Sequence, residues 1–140
     1  MVRINIIDPA WSADQHPIAE YKEILMLLGH VRKHPTIKAL PERYCLRKGH
    51  ICFFKDKLLY LKERHELLKR EMLRRGFQAN KTISLQGLPK ELCNSWQCSD
   101  DGKKIIKKRI TENIHKNPTR YTYRRKKLGA DALIEKIKKA

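Results

Sequence analysis

The chain has 140 residues, 32 of them Lys or Arg against 15 Asp or Glu, giving a formal net charge of +17 at pH 7 with 41% hydrophobic residues. Such a length suits one domain around one core, since a chain this long buries about two-thirds of the surface its unfolded form exposes; two domains and wholesale disorder are both excluded as expectations. An excess of about one positive charge for every eight residues is more than solubility requires and points to a polyanionic partner.

In chain order, Met1-Val2-Arg3-Ile4 runs into Asp8 and Pro9, too soon for the apolar stretch of about 7–15 residues that a signal peptide needs. A first helix is predicted to start between Ser12 and His16 and to end near His34, because Ile18, Tyr21, Leu25, Leu28 and Val31 recur at steps of three and four. Ser12-x-x-Gln15 has the pattern of a capping box, Pro17 suits a first turn, and Pro35 is a stop. The uncharged run at 24–31 is far short of the roughly 20 residues that span a bilayer, so no membrane partner is expected. A second helix is predicted over 54–75 from Leu58, Leu61, His65, Leu68 and Met72, with Gly76 behind its last basic turn.

Residues 80–99 have poor periodicity and contain Gly87, Pro89 and Trp96, which reads as a connection with Trp96 as an anchor to the core. Ile106, Ile110 and Ile114 mark a third helix, with Lys103, Lys107, Lys108 and Arg109 on its other face and an end before Asn117-Pro118. From Arg120 to Lys127, tyrosines alternate with cations, a composition suited to phosphate and sugar or simply to a solvated tail. Leu133, Ile134 and Ile137 among lysines make a short amphipathic helix or a frayed end. No stretch alternates well enough to predict a sheet. The expectation is an all-α, compact single domain of three main helices with long loops, covering 1–128, and a basic C-terminal tail at 129–140.

Cys45, Cys52, Cys93 and Cys98 could form two disulfides, but in an intracellular protein they read as free thiols, with Cys52 in the core beside Phe53 and Phe54. Cys93 and Cys98 lack Cys-x-x-Cys spacing, and His30 and His34 lack the Glu of an His-Glu-x-x-His metal site. Neither a phosphate-binding Gly-rich loop nor a dinucleotide fingerprint is present, so no cofactor and no metal are expected. Charge alone does not separate nucleic-acid binders from other basic proteins, although nucleic acid is its commonest cause.

Met1-Val2-Arg3-Ile4-Asn5, Ala13-Asp14-Gln15-His16 and Ala19-Glu20-Tyr21-Lys22-Glu23 are followed, in order, by Val31-Arg32-Lys33-His34, Gly49-His50, Phe53-Phe54, Asp56-Lys57-Leu58, Arg75-Gly76-Phe77, Pro118-Thr119, Tyr121 and Tyr123. This ordered set resembles the phage endonuclease V family of pyrimidine-dimer DNA glycosylases with an associated abasic-site lyase, over nearly all of 1–128. The resemblance implies a compact helical fold and a main-chain amine as nucleophile. Here that amine is on Val2, exposed when Met1 is removed.

An α-amine has an ordinary pKa near 7.7–8.0, so about a tenth is neutral at pH 7, against about four in ten thousand for lysine. The resemblance makes Glu23 the catalytic carboxylate, with Glu20, one turn earlier, as its rival. It makes Arg3, Gln15, His16, Lys22, Lys33, Arg109 and Tyr121 the DNA contacts. Arg32 and Lys33 also suit a helix C-terminus, and Tyr121 and Tyr123 could equally pack on the first helix. His50 is expected to serve packing or a loop hydrogen bond.

The chain departs from the family pattern at Met26, Arg120 and Asn113, where relatives carry a cation, a tryptophan and a lysine. The expected partner is double-stranded DNA carrying pyrimidine dimers or abasic sites, bound by a monomer in the cytoplasm or nucleoid, or in the nucleus of a eukaryotic or viral host. A non-enzymatic basic nucleic-acid-binding protein is the alternative.

Overall fold

The computed structural model describes residues 4–36, 40–46 and 49–140. These form helices α1 (Gln15–Lys33), α2 (His50–Phe54), α3 (Leu58–Arg74), α4 (Asp100–Lys116) and α5 (Ala130–Lys139), with a hairpin of β1 (Thr122–Tyr123) and β2 (Lys126–Lys127) before α5. The α1 and α3 helices pack together, as do α4 and α5. Ile24, Leu28 and Val31 of α1 meet Leu58, Leu61 and Leu68 of α3, and Ile106, Ile110 and Ile114 of α4 meet Leu133 and Ile137 of α5, in one continuous core. Burying each of these aliphatic side chains contributes roughly 1.5–3 kcal/mol, which outweighs the modest intrinsic helix propensity of the β-branched residues. No helix among the described residues is long and apolar enough to cross a membrane.

The helical expectation holds, with local differences that have physical causes. The helix predicted over 54–75 is α3 and begins four residues later, at Leu58: Phe54 ends the separate short helix α2, and Lys57 Nζ turns back to the Phe53 carbonyl at 2.8 Å and to Asp56 at 2.8 Å between the two. Phe54, Leu58 and Leu61 keep helical spacing across that break, so periodicity could not reveal it. Cys52 is exposed rather than in the core, because Phe53 and Phe54 take the inward positions at the end of so short a helix. All four cysteines are free.

The Ser12–Gln15 capping box is not formed: Ser12 Oγ donates to the Pro9 carbonyl, and Asp14 is the residue preceding α1. The α4 helix begins at Asp100, where Ser99 Oγ accepts from the Gly102 N–H at 3.1 Å and two aspartates lie in the first turn, at the positive end of the helix dipole. The tiny hairpin was invisible to pattern, since two-residue strands have no alternation to read. Trp96 does anchor the connection, against Tyr44, Phe53, Phe54 and Tyr60. Within the 129–140 segment, α5 buries Leu133, Ile134 and Ile137 and leaves most of its lysine charge outside.

Candidate active site

The head of α1 is organised by Asp14, whose side chain is 1% exposed. Its carboxylate accepts from Arg75 Nη1 at 2.9 Å, Thr122 Oγ1 at 2.7 Å, and the backbone N–H groups of Arg124 at 2.9 Å and Arg125 at 2.7 Å. Burial by itself would raise the Asp14 pKa, but these four donors hold it below the ordinary carboxylate value, so Asp14 is an anion with both oxygens engaged. Arg75 continues the network to Glu71 and to the carbonyls of Pro9, Ala10 and Ser12. One buried guanidinium thus ties the segment before α1 to the end of α3.

On this base the hairpin is docked beside Gln15 and His16. Gln15 exchanges hydrogen bonds with Thr122, from Nε2 to Oγ1 at 3.2 Å and from the Thr122 N–H to Oε1 at 3.0 Å. The His16 ring stacks on Tyr121 with centroids 5.2 Å apart. Tyr121 is itself buried, and Tyr123 donates through its hydroxyl to the Ala10 carbonyl at 2.8 Å. Burial, helped by the charges of Arg109, Arg120 and Arg75, lowers the His16 pKa to about 4. His16 is therefore neutral at pH 7, and its buried Nδ1 has no hydrogen-bond partner among the described residues. A neutral imidazole among arginines can accept or donate a hydrogen bond to a sugar or phosphate, but it is a poor acid at neutral pH.

Farther along α1 the two carboxylates part company. Glu20, 1% exposed, takes a bidentate grip from Arg64, Nε to Oε2 at 2.6 Å and Nη2 to Oε1 at 2.9 Å, while Arg64 Nη1 donates to the Ile7 carbonyl. Burial would lower the Arg64 pKa, but the Glu20 charge and hydrogen bonds raise it, so Arg64 stays charged. Glu23 is half-buried. It lies two helical turns beyond His16 and on nearly the same face. Gln15, Ala19, Lys22 and Met26 share the neighbouring outer face by helical spacing, and both Lys22 and Met26 are exposed. The site therefore presents a methionine, not a cation, one turn beyond Lys22.

Lys33 is exposed at the opposite end of α1. It stands roughly five turns beyond His16 and is not brought to this cluster. Arg32, beside it, donates to the carbonyls of Ser84 and Gln86 and holds the connection.

Val2 and Arg3 lie outside the described residues, but the chain leading to them is held firmly. The Ile4 N–H donates to His50 Nε2 at 2.9 Å and the Ile4 carbonyl accepts from the Tyr44 hydroxyl at 2.8 Å. His50 Nδ1 faces the Cys45 carbonyl at 2.7 Å, which fixes Nδ1–H as a donor and leaves Nε2 as the acceptor. Ile6 has φ +46°, and the Ile7 N–H closes back on the Asn5 carbonyl; β-branched residues rarely adopt such a φ. Gly49 lets the segment at Pro41 and Cys45 close against the start of α2, because a Cβ there would sit 2.7 Å from Pro41 Cγ.

Gln15, His16 and Tyr121, which the resemblance gives as DNA contacts, thus lie together around the head of α1, with Arg109 near enough for its charge to act on His16, while Asp14, Arg75, Thr122, Tyr44 and His50 emerge as the frame. Arg75 and His50 stand in the Arg-Gly-Phe and Gly-His pieces of the sequence, but their partners before α1 are 46 to 66 residues away and leave no local signal. No group of three or more metal-ligating side chains occurs among the described residues. A family model described as pyrimidine dimer DNA glycosylase matches residues 1–85, which span the Ile4 anchor, all of α1 with Glu20 and Glu23, and α3 with Arg64, followed by Arg75. The chain belongs to the pyrimidine dimer DNA glycosylase family and is a DNA-repair glycosylase whose substrate is DNA.

Proposed function

We propose that the protein excises pyrimidine dimers from duplex DNA and cleaves the resulting abasic site as a lyase, with the α-amine of Val2 as nucleophile and Glu23 as the catalytic carboxylate. The observation that carries the assignment is the sealing of Glu20 by Arg64. Of two carboxylates one turn apart, Glu20 is committed to the frame, which supports Glu23 rather than Glu20 in the chemical role.

The amine forms a bond to C1′ of the damaged nucleotide as the C1′–N glycosidic bond breaks; the departing base takes up a proton and the nitrogen gives one up. C1′–O4′ then opens, O4′ is protonated, and a protonated imine joins protein to sugar. Removal of a 2′ proton shifts electrons toward the imine and expels the 3′ phosphate with the C3′–O bond. Glu23 stabilises the cationic sugar and imine by its charge and relays the O4′ and 2′ protons. No cofactor enters this scheme.

Arg3, Lys22, Lys33 and Arg109 neutralise phosphates, Gln15 and His16 contact the sugar and backbone near the lesion, and Tyr121, buried, serves the DNA interface by backing the His16 ring. A dimer stacks and pairs poorly, so its duplex is cheaper to kink and a nucleotide easier to extrude, which gives selectivity with few base contacts. In this reading the protein acts as a monomer.

The test is Glu23→Gln beside Glu20→Gln. Glu23→Gln is expected to bind a dimer-containing duplex within about threefold of the native protein while strand cleavage falls at least about a hundredfold, the general acid–base share. Equal loss of binding and cleavage, or full cleavage, contradicts the assignment. Full binding by a native protein that cleaves neither dimer nor abasic duplex favours a non-enzymatic binder.

A further inference from the structure

The hairpin joins β1 to β2 through two residues, Arg124 and Arg125, with Tyr123 paired to Lys126. Both have positive φ, +50° and +68°. A two-residue turn of this hand normally takes Asn-Gly or Asp-Gly, because side chains crowd the left-handed region. Here two arginines are held there by the Asp14 carboxylate, which accepts both of their N–H groups in the concavity that successive turn amides form. Backbone strain that a buried anion must hold in place indicates that the side chains themselves are needed.

Their surroundings show for what. Both arginines are exposed, and neither is in an ion pair among the described residues. From Asn113 to Ala130 the sequence has no acidic residue, while Lys116, Arg120, Lys126 and Lys127 add to the charge. Arg124 lies over the Tyr123 ring, its guanidinium carbon 5.6 Å from the centroid, and Lys136 of α5 approaches the same ring at 4.4 Å. Arg125 extends across Gly76, where its Nη1 would be 3.2 Å from a Cβ. Asp14 and Thr122 lock this tip to Gln15 and His16, so it has a fixed register to the active site.

We propose that Arg124 and Arg125 form a phosphate clamp that grips two backbone phosphates of duplex DNA beside the active site. The clamp rests on duplex DNA being the substrate, though not on the identity of the nucleophile. Arginine's planar fork suits phosphate, and a tip fixed by Asp14 loses little freedom on binding.

The test replaces the tip by the residues its backbone favours, Arg124→Asn with Arg125→Gly, in the full chain. Affinity for a duplex carrying a tetrahydrofuran abasic analogue is measured from about 50 to about 200 mM KCl, the range over which phosphate contacts are most visible. The clamp predicts that the slope of log K against log salt becomes shallower by about 1.8, or about 0.9 per phosphate, and that Kd at about 150 mM rises about tenfold or more. The melting temperature should rise, because the strain is gone. Should the double variant fold poorly, Arg124→Asn alone should lower the slope by about 0.9.

An unchanged slope overturns the clamp. Borohydride trapping on an abasic duplex, at low salt with saturating protein, separates this from the mechanism. Trapping is expected to survive in the tip variant. A native protein that never traps refutes the amine mechanism while the salt slopes still decide the clamp.

Discussion

The inner and outer sides of α1 use similar residues in opposite ways. Inside, Asp14 and Glu20 are almost wholly buried, and each meets a guanidinium from α3 or its end with geometry that satisfies nearly all donors and acceptors. Outside, Lys22 and Met26 face solvent, and Glu23 stands half-buried at the margin. The difference shows that this protein, with about two cations for each anion, uses its buried anions to fix the frame. The remaining positive charge is left to meet a polyanion. A buried ion pair adds little net stability over an apolar pair, but removing one partner leaves a charge without water or counterion.

The sharpest way to break this contrast is therefore Glu20→Gln against Lys22→Gln. Glu20→Gln strands Arg64 and should cost about 3–5 kcal/mol, which for a chain of this size lowers Tm by roughly 10–20 °C. Lys22→Gln should leave Tm within about 2 °C. Comparable melting curves for the two would mean that the inner pair does not hold the frame.

A second contrast concerns the anchor of Ile4. His50→Ala removes the acceptor of the buried Ile4 N–H, which should cost about 1–3 kcal/mol and loosen the anchor of Ile4. A displacement of about 1 Å can cost a hundredfold in rate, so imine trapping should slow by about that factor while DNA affinity stays within about threefold. His50→Gln, which can still accept, should recover part of the rate. Trapping at the native rate in His50→Ala, with the fold intact, would show that the anchor does not position the terminus.

Acidification sharpens the comparison of polar groups. Burial lowers the His65 pKa, and neither ring nitrogen has a partner among the described residues, although the ring stacks on Tyr21 at 4.3 Å. His16 is shifted the same way, to about 4. Both bind a proton more readily when unfolded, so from about pH 6.5, the ordinary histidine value, down toward the folded values, stability falls as pH falls. Melting temperature should drop between pH 7 and pH 5, and His65→Phe, by removing two unsatisfied nitrogens, should reduce that drop. A Tm independent of pH across this interval in both proteins would contradict the buried neutral histidines.

How far this was legible in the sequence follows from the range of each interaction. Apolar stripes are local, so Ile18 to Val31 and Ile106 to Ile114 announced α1 and α4 without help. The break at Lys57 escaped because Phe54, Leu58 and Leu61 stay in helical phase through it. Ser12 imitated a capping box because the rule reads spacing and cannot see Pro9, whose carbonyl takes the hydroxyl. At the site, resemblance to the family selected Gln15, His16 and Tyr121, which the fold brings together, Arg109, whose charge acts on His16, and also Lys33, which stands far away. Asp14 could not be read as the hub because its partners lie up to 111 residues away.

The smallest expected effect is on the outer face, where Lys22→Gln should weaken duplex binding a few-fold and make the salt slope shallower by about 1. Identical salt dependence would place Lys22 outside the DNA footprint.

The central claim is tested most directly by borohydride reduction of the native-terminus protein with a duplex containing one thymine dimer, a matched abasic duplex and an undamaged control. The expected result is a covalent protein–DNA adduct with the dimer and abasic duplexes and none with the control, and peptide mapping should locate the bond at the Val2 amine. An adduct at a lysine side chain, or none at all from protein shown to begin at Val2, would contradict it.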